Sequence, residues 1–254
     1  MIDGEIFLGN MRWPDVVAAA AAKPVLILPV GAIEQHGPHL PLDTDSAMVS
    51  WLACTAARQA GCALVAPTLN YGVSLNHIAF PGTATMRNET LCAVLADLGE
   101  SLLGHAFKAI VFLNGNGGNN VAVASAAAEL RRRTAKTVAN IYVAALIEEA
   151  FSVMESGIIW HADESETSMM LAIAPERVHM AKAVREMPKP IPLYEFKEAT
   201  LTKAMVDLGI PATERVTKSG TIGDATMATV DKGRPVVEEQ LKTLTKILKT
   251  LAAA

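Results

Sequence analysis

Cysteine is scarce in this 254-residue chain: Cys54, Cys62 and Cys92 are the only three. An odd count with no metal-ligand spacing excludes a disulfide framework and a cysteine zinc cluster. Two of them fall in apolar helical patterns and one opens a strand, which predicts buried thiols in a reducing cytosol. Long apolar runs are absent too. Nothing approaches the roughly 20 residues that cross a bilayer. The start, Met-Ile-Asp-Gly-Glu, lacks the basic and apolar regions of a secretory signal, so a cytoplasmic protein is expected. Basic clusters stop at Arg131-Arg132-Arg133, and the formal net charge is −4, which argues against nucleic acid or anionic membrane as a partner. There is no internal repeat, no low-complexity tract and no clear second domain.

What is present is enough apolar sequence for a large core. Hydrophobic residues are 51 % and charged ones 19 %, which places the chain among globular proteins and not disordered ones. The length suits one domain spanning residues 1–254. Strand-like and helix-like segments alternate. Strands are predicted at 25–30, 63–66, 109–113 and 138–146, from short apolar runs between breakers. Helices are predicted from Trp13-Pro14-Asp15, at 46–60, from an Asn88 cap to Gly104, at 120–133 and up to about residue 173. Pro235 is expected to start a closing amphipathic helix. Residues 186–235 hold five of the thirteen prolines and read as an irregular excursion over the surface or toward a neighbouring subunit. The βαβα order implies an α/β fold, a three-layer sandwich with a mainly parallel sheet covered on both faces.

The chemistry concentrates where strands end. After the first apolar run, residues 34–45 read Glu-Gln-His-Gly-Pro-His-Leu-Pro-Leu-Asp-Thr-Asp, which crowds Glu34, His36, His39, Asp43 and Asp45 together. Open α/β sheets build their sites at such strand ends. Glu, His and Asp together suit a divalent metal of the zinc or manganese type. Three further polar segments are Asn114-Gly115-Asn116-Gly117-Gly118-Asn119-Asn120, the run from His161 through Glu164 and Glu166 to Ser168, and His77 with Phe80-Pro81-Gly82-Thr83. Plainer readings stand beside these. Asp43 and Asp45 can cap the helix that follows, as Glu166 can cap the next one. Glu34 can be a surface residue, and His39 reads as loop structure. The glycines at 115–118 can cradle a phosphate at a helix N-terminus, although the loop has no P-loop lysine and does not fit GxGxxG.

Taken together these segments resemble the creatininase family of metal-dependent amidohydrolases over about residues 7–173. Leu28-Pro29-Val30-Gly31-Ala32-Ile33-Glu34-Gln35-His36-Gly37 followed by Asp45 is the most specific part, and the other three segments follow in family order. The resemblance implies the three-layer fold and a hexamer built from dimers. It implies a binuclear site with Asp45 bridging two ions, Glu34 on one and His36 on the other. His161 is then the acid/base beside the substrate, and Glu166 is a site carboxylate and metal ligand. The family usually has a metal-binding His where this chain has Asn116, and creatininase itself has Glu at the position of Gly118 and an aromatic residue at that of Gly117. Creatinine is therefore not the expected substrate, and either one ion or two, the second completed by Asn116 and water, fits the residues. Zinc or manganese is expected, with iron a further candidate.

The expected reaction is hydrolysis of a small, cyclic amide or formamide-like C–N bond by metal-activated water. The metal or the loop amides of Gly117 and Gly118 would steady the oxyanion, with His77 beside the substrate. His161 or Glu166 would protonate the leaving nitrogen. The alternatives are the same fold cleaving a ring C–C bond of a diketone or a peptide bond, and a metal-free binding protein on this scaffold.

Overall fold

The computed structural model describes residues 4–147, 150–188 and 212–254. Four parallel strands form the central sheet in the order β2-β1-β3-β4: β1 (Val25–Val30), β2 (Ala63–Val65), β3 (Ala109–Asn114) and β4 (Thr137–Tyr142). The register runs Val25 beside Ala63 and Ala109, with Ala109 beside Thr137. β1 and β3 are buried at all six positions, as continuous apolar runs in a doubly covered sheet should be. β4 is half-exposed and β2 has only three residues, so both edges are short or polar.

The strand order decides where the helices go. α2 (Thr44–Ala60) carries the chain from β1 out to β2. α3 (Asn88–Leu103) brings it back past β1 to β3, and α4 (Asn120–Thr134) continues to β4. The first step runs opposite to the next two, so right-handed crossovers put α2 on one face and α3 with α4 on the other. The packing agrees. α3 lies on α4, whereas α2 lies on the C-terminal helix (Val230–Ala253), which also covers α5 (Glu164–Ile173). The chain is thus a three-layer α/β sandwich. α1 (Trp13–Ala20) precedes β1, with Pro14 in its first turn as expected. Because the connections leave β1 and β3 in opposite directions, their C-terminal ends open a crevice.

Several boundaries differ from expectation. α2 starts at Thr44, and Asp43 at its N-cap makes no capping bond; it pairs with Arg177 at 2.5 Å instead. Arg87, not Asn88, is the N-cap of α3. β4 stops at Tyr142 because Val143–Leu146 winds into a 3-10 turn, whose Val143 carbonyl accepts from Gln240 of the C-terminal helix at 3.1 Å. That helix begins five residues before Pro235, capped by the Thr229 hydroxyl; Pro235 sits inside it and gives up one bond to the Asp231 carbonyl. The three cysteines are free but only half-buried. Of the Pro-rich excursion, residues 189–211 lie outside the described residues. The remainder forms a two-stranded ribbon, β5 (Arg185–Glu186) against β6 (Gly223–Asp224), and a helical turn Thr213–Val216. Among the described residues no helix is long and apolar enough to cross a membrane.

One crossing holds α5 in place. Gly233 of the C-terminal helix meets the α5 backbone so closely that a Cβ there would lie 1.8 Å from the Ser168 carbonyl oxygen. Gly233→Ala should therefore push α5 outward and cost about 3 kcal/mol, the upper part of the usual overpacking range. Urea unfolding checks it; an unchanged midpoint would mean the helices do not cross this closely.

Candidate metal centre

Three loops meet in the crevice, and their backbones are locked to one another before any ligand is considered. The Asn119 amide donates to the Gly31 carbonyl at 3.0 Å after β1 and to Asn114 Oδ1 at 3.1 Å after β3, while its oxygen accepts the Val73 N–H at 2.7 Å. Asn114 returns bonds to the backbone N–H and carbonyl of Asn116. Gly31 packs against α2, where a Cβ would lie 2.2 Å from Ser46 Oγ. The third arm is the start of α5. Asp163 caps it, accepting from Ser165 N at 2.9 Å and Glu166 N at 3.0 Å. Ala162, just before the cap, takes φ 47°, a conformation that costs a non-glycine residue energy and is held by the bond from its N–H to Glu166 Oε2 at 2.6 Å. These contacts aim His161 and Glu166 back at the loop after β1.

Glu34, His36, Asp45 and His161 are all buried there, and the Glu166 side chain is 20 % exposed at the edge of the cavity. His36 Nε2 lies 3.3 Å from Asp45 Oδ1 and 3.9 Å from Glu166 Oε2. His161 Nδ1 lies 3.9 Å from Glu34 Oε1 and 4.0 Å from Glu166 Oε2. Backbone carbonyls fix both tautomers, because a carbonyl can only accept. His36 Nδ1–H donates to the Glu34 carbonyl at 3.1 Å, which leaves Nε2 a lone pair toward the carboxylates. His161 Nε2–H donates to the Gln35 carbonyl at 2.7 Å, which leaves Nδ1 a lone pair toward the cavity. His161 stacks on His77 with ring centroids 4.2 Å apart.

Burial and like charge disturb every titration here. Burial, then the charge on Asp45, raises the Glu34 carboxyl to about 8. Burial also raises Glu166 to about 8, helped by Asp163 and Asp45. For His36 burial works against the charge, but Asp45, Glu166 and Glu34 outweigh it and lift the imidazole to about 10. His161 is pushed well below its ordinary value, and His77 to about 3, by burial and then by His36. The centre thus attracts positive charge at His36 Nε2, whether proton or metal. The fit to a metal is visible in the atoms: His36 Nε2 and Asp45 Oδ2 are buried with no hydrogen-bond partner. Two N/O triads suit a divalent cation, Glu34 with His36 and His161, and His36 with Asp45 and Glu166.

The expected residues converge, but some in other postures. Asn116 reaches the centre with its NH2 toward Glu34, not its oxygen, so it is not presented as a ligand. The Gly118 N–H is taken by Asn116 Oδ1 at 2.9 Å and is not free to steady an oxyanion. Gly117 lines the cavity, and a Cβ there would lie 3.3 Å from the Tyr142 hydroxyl. His77 is buried and faces Glu34 Oε1 at 3.3 Å. His39 stands outside the triads, its Nε2 2.7 Å from Thr167 Oγ1. The cradle for phosphate is not built: Glu34, Asp45 and Glu166 line the same cavity and would repel it. Glu166 both bonds the turn before α5 and faces the centre, so the two readings of it coexist. Gln35, Tyr142 and Thr213 were not among the expected residues. Tyr142 ends a strand, which was a usable signal; Gln35 lies inside the motif but has no charge to mark it; Thr213 had none.

A family model described as creatininase, creatinine amidohydrolase, matches residues 9–248. The mycofactocin precursor peptide peptidase of Mycolicibacterium smegmatis is 34 % identical over 223 residues, covering 86 % of this chain and 81 % of that one. The creatinine amidohydrolase of Pseudomonas putida is 30 % identical over 256 residues, 92 % of each. The solved structure of a manganese creatininase superposes with a TM-score of 0.84 at 25 % identity, over 97 % of this chain and 98 % of that one. With the βαβ crevice and its buried carboxylate–imidazole centre, these matches make the chain a member of the creatininase family of metal-dependent hydrolases.

Proposed function

We propose that this chain hydrolyses the C–N bond of a small amide, cyclic or formamide-like, with zinc or manganese held by His36 Nε2, Asp45 and Glu166. The observation that carries the reading is the pair of buried, partnerless atoms His36 Nε2 and Asp45 Oδ2 beside a second carboxylate, Glu166. A divalent ion bound there supplies Lewis acidity and brings the pKa of water from 15.7 toward about 7. The chain's own residues do the rest. His161, kept neutral by burial, offers Nδ1 to take a proton from water and return it to the departing nitrogen. Glu34 Oε1 and Glu166 Oε2, 3.9 and 4.0 Å from His161 Nδ1, would stabilise the imidazolium formed when Nδ1 takes the proton. Tyr142 and Trp160 wall the cavity. Its volume is about 180 Å³, below the roughly 300–1,000 Å³ of sites for drug-sized ligands, which favours a small substrate.

A second reading is cleavage of a peptide bond. It is favoured by the mycofactocin precursor peptide peptidase relative, and the small cavity would then take one end of the peptide. We further propose one domain over the whole chain, a cytoplasmic location and a closed homo-oligomer, most simply a hexamer.

A panel of small cyclic amides, formamides and short peptides tests the reaction. Turnover should vanish with chelator and return with zinc or manganese. His161→Ala should lower kcat by roughly 10²–10⁴-fold with metal content unchanged. Chelator-insensitive turnover, or a His161→Ala protein that is fully active, would sink the proposal.

A second expectation concerns pH. In the metal-free protein Glu34 and Glu166 (about 8) and His36 (about 10) stand above their unfolded values of 4.5 and 6.5. The folded state then holds more protons than the unfolded, so stability falls as pH rises through those folded values. The lowered histidines, His77 and His161, act in the opposite sense but only below 6.5. Between pH 6.5 and 8 the metal-free protein should therefore lose stability, by about 1.4 kcal/mol per pH unit for each extra proton held. Saturating zinc, which displaces those protons, should abolish or reverse the trend. Urea midpoints with and without chelator across this window decide it.

A further inference from the structure

The two candidate triads share one atom. Glu34, His36 and His161 present donors within 4.8 Å of one another, and so do His36, Asp45 and Glu166. His36 can enter either triad only through Nε2, because Nδ1 carries the proton given to the Glu34 carbonyl. One imidazole nitrogen has one lone pair, and a lone pair serves one ion. Both triads cannot be complete at once.

The remaining atoms say which one is. Asp45 Oδ2 is buried without a partner, as is His36 Nε2 itself. Glu34 is in the opposite condition, with an N–H facing each of its oxygens. Oε1 lies 3.3 Å from His77 Nε2. That nitrogen carries the proton, because His77 Nδ1 accepts from the Gln35 NH2 at 2.9 Å, and the Gln35 oxygen is already fixed by the Gly37 N–H. The Thr213 hydroxyl, 2.9 Å away, shares the same Nδ1. Oε2 of Glu34 accepts from Asn116 Nδ2 at 3.2 Å. The Asn116 amide cannot be turned over cheaply. Its NH2 also donates to the Val73 carbonyl at 3.1 Å and its oxygen accepts the Gly118 N–H, so the reverse orientation would set oxygen against oxygen and N–H against N–H. No ligand can be restored at 118 either, since a Cβ there would lie 2.0 Å from the Val73 carbonyl oxygen. Donors occupy the side on which a second cation would need acceptors.

We infer that this chain holds a single divalent ion, on His36, Asp45 and Glu166, and that Glu34 is a hydrogen-bonded wall of the site and not a ligand. The inference rests on the metallohydrolase reading above. Gln35, His77, Thr213 and Asn116 then act together: they satisfy Glu34 beside the ion, so that its carboxylate need not compete for it.

Zinc content decides the matter without a substrate. Metal-free protein is dialysed to equilibrium against zinc, and the metal is counted by elemental analysis and by native mass spectrometry. One ion per chain is expected. Glu34→Gln should keep it, with affinity reduced by less than about tenfold, the low end of what outer-shell changes cost. Asp45→Asn should release it, with more than about 100-fold loss, beyond that outer-shell range. Near-UV circular dichroism controls for folding, and the count on the unaltered protein stands even if a variant fails to fold. Two ions per chain, or a Glu34→Gln protein as empty as Asp45→Asn, would overturn the inference and leave the hydrolase reading intact. No bound zinc at all would overturn both.

Discussion

Three carboxylates and an imidazole share a buried space too small for their charges, and the site follows from that. Glu34 and Asp45 are almost fully enclosed, and Glu166 is nearly so. Water cannot screen them, so repulsion at these distances is far stronger than on a surface. Without a cation the fold relieves the strain by taking up protons: it raises Glu34 and Glu166 and keeps His36 protonated well above its ordinary range. A divalent ion offers the same relief with one particle in place of several protons, which is why metal and proton compete here. Burial, and then the positive His36, keeps His77 and His161 neutral. Neutral imidazoles are what ligation and proton transfer both require.

Such a centre persists only if the backbone around it cannot relax. The sheet supplies the first constraint, since β1 and β3 are buried along their whole length and their loops must diverge at the same edge. Asparagine supplies the second. The amides of Asn114, Asn116 and Asn119 tie the loops after β1 and β3 to residue 73 with bonds whose direction is fixed at both ends. The third is the left-handed turn at Ala162, held by Glu166 and by the Asp163 cap. Glu164 belongs to this support too. It is fully buried, pairs with Lys232 of the C-terminal helix at 2.5 Å and accepts the N–H groups of Glu155 and Ser156. Removing one partner of such a pair leaves a buried charge uncompensated, so the pair fixes where α5 starts.

Most of this architecture was legible in the sequence because its signals are local. β1 and β3 are uninterrupted apolar runs, and α2 ends at Gly61 with φ 66°, the position where a glycine stop is cheapest. Glu34, His36 and Asp45 announced themselves because charged residues seldom follow a buried strand without a reason. Several of the misplaced boundaries involve a distant partner. β4 ends where Gln240 takes the Val143 carbonyl, and the last helix starts at Val230, after a Thr229 whose N–H donates to the Ser168 hydroxyl, although Pro235 looks like the opener. Asp43 left its capping role for Arg177, 134 residues away. Nothing within a window of sequence records these pairings.

The amide residues were hardest to read, and they matter most for how the centre works. An Asn in a ligand position suggests a weak ligand, since its carbonyl oxygen can coordinate. Whether it does depends on which way the amide faces, and that is set by neighbours on other loops. The Val73 carbonyl and the Gly118 N–H turn the Asn116 oxygen away from Glu34 and its NH2 toward it. Gln35 behaves in the same way. Its side chain directs a proton onto His77 Nε2, and its backbone carbonyl draws the proton of His161 onto Nε2 as well. One residue without charge thereby sets two stacked imidazoles to the same Nε2–H tautomer, one donating that N–H to Glu34 and the other presenting its Nδ1 lone pair to the cavity. The chemistry of the centre is written as much in the orientation of its amides as in the identity of its charged groups.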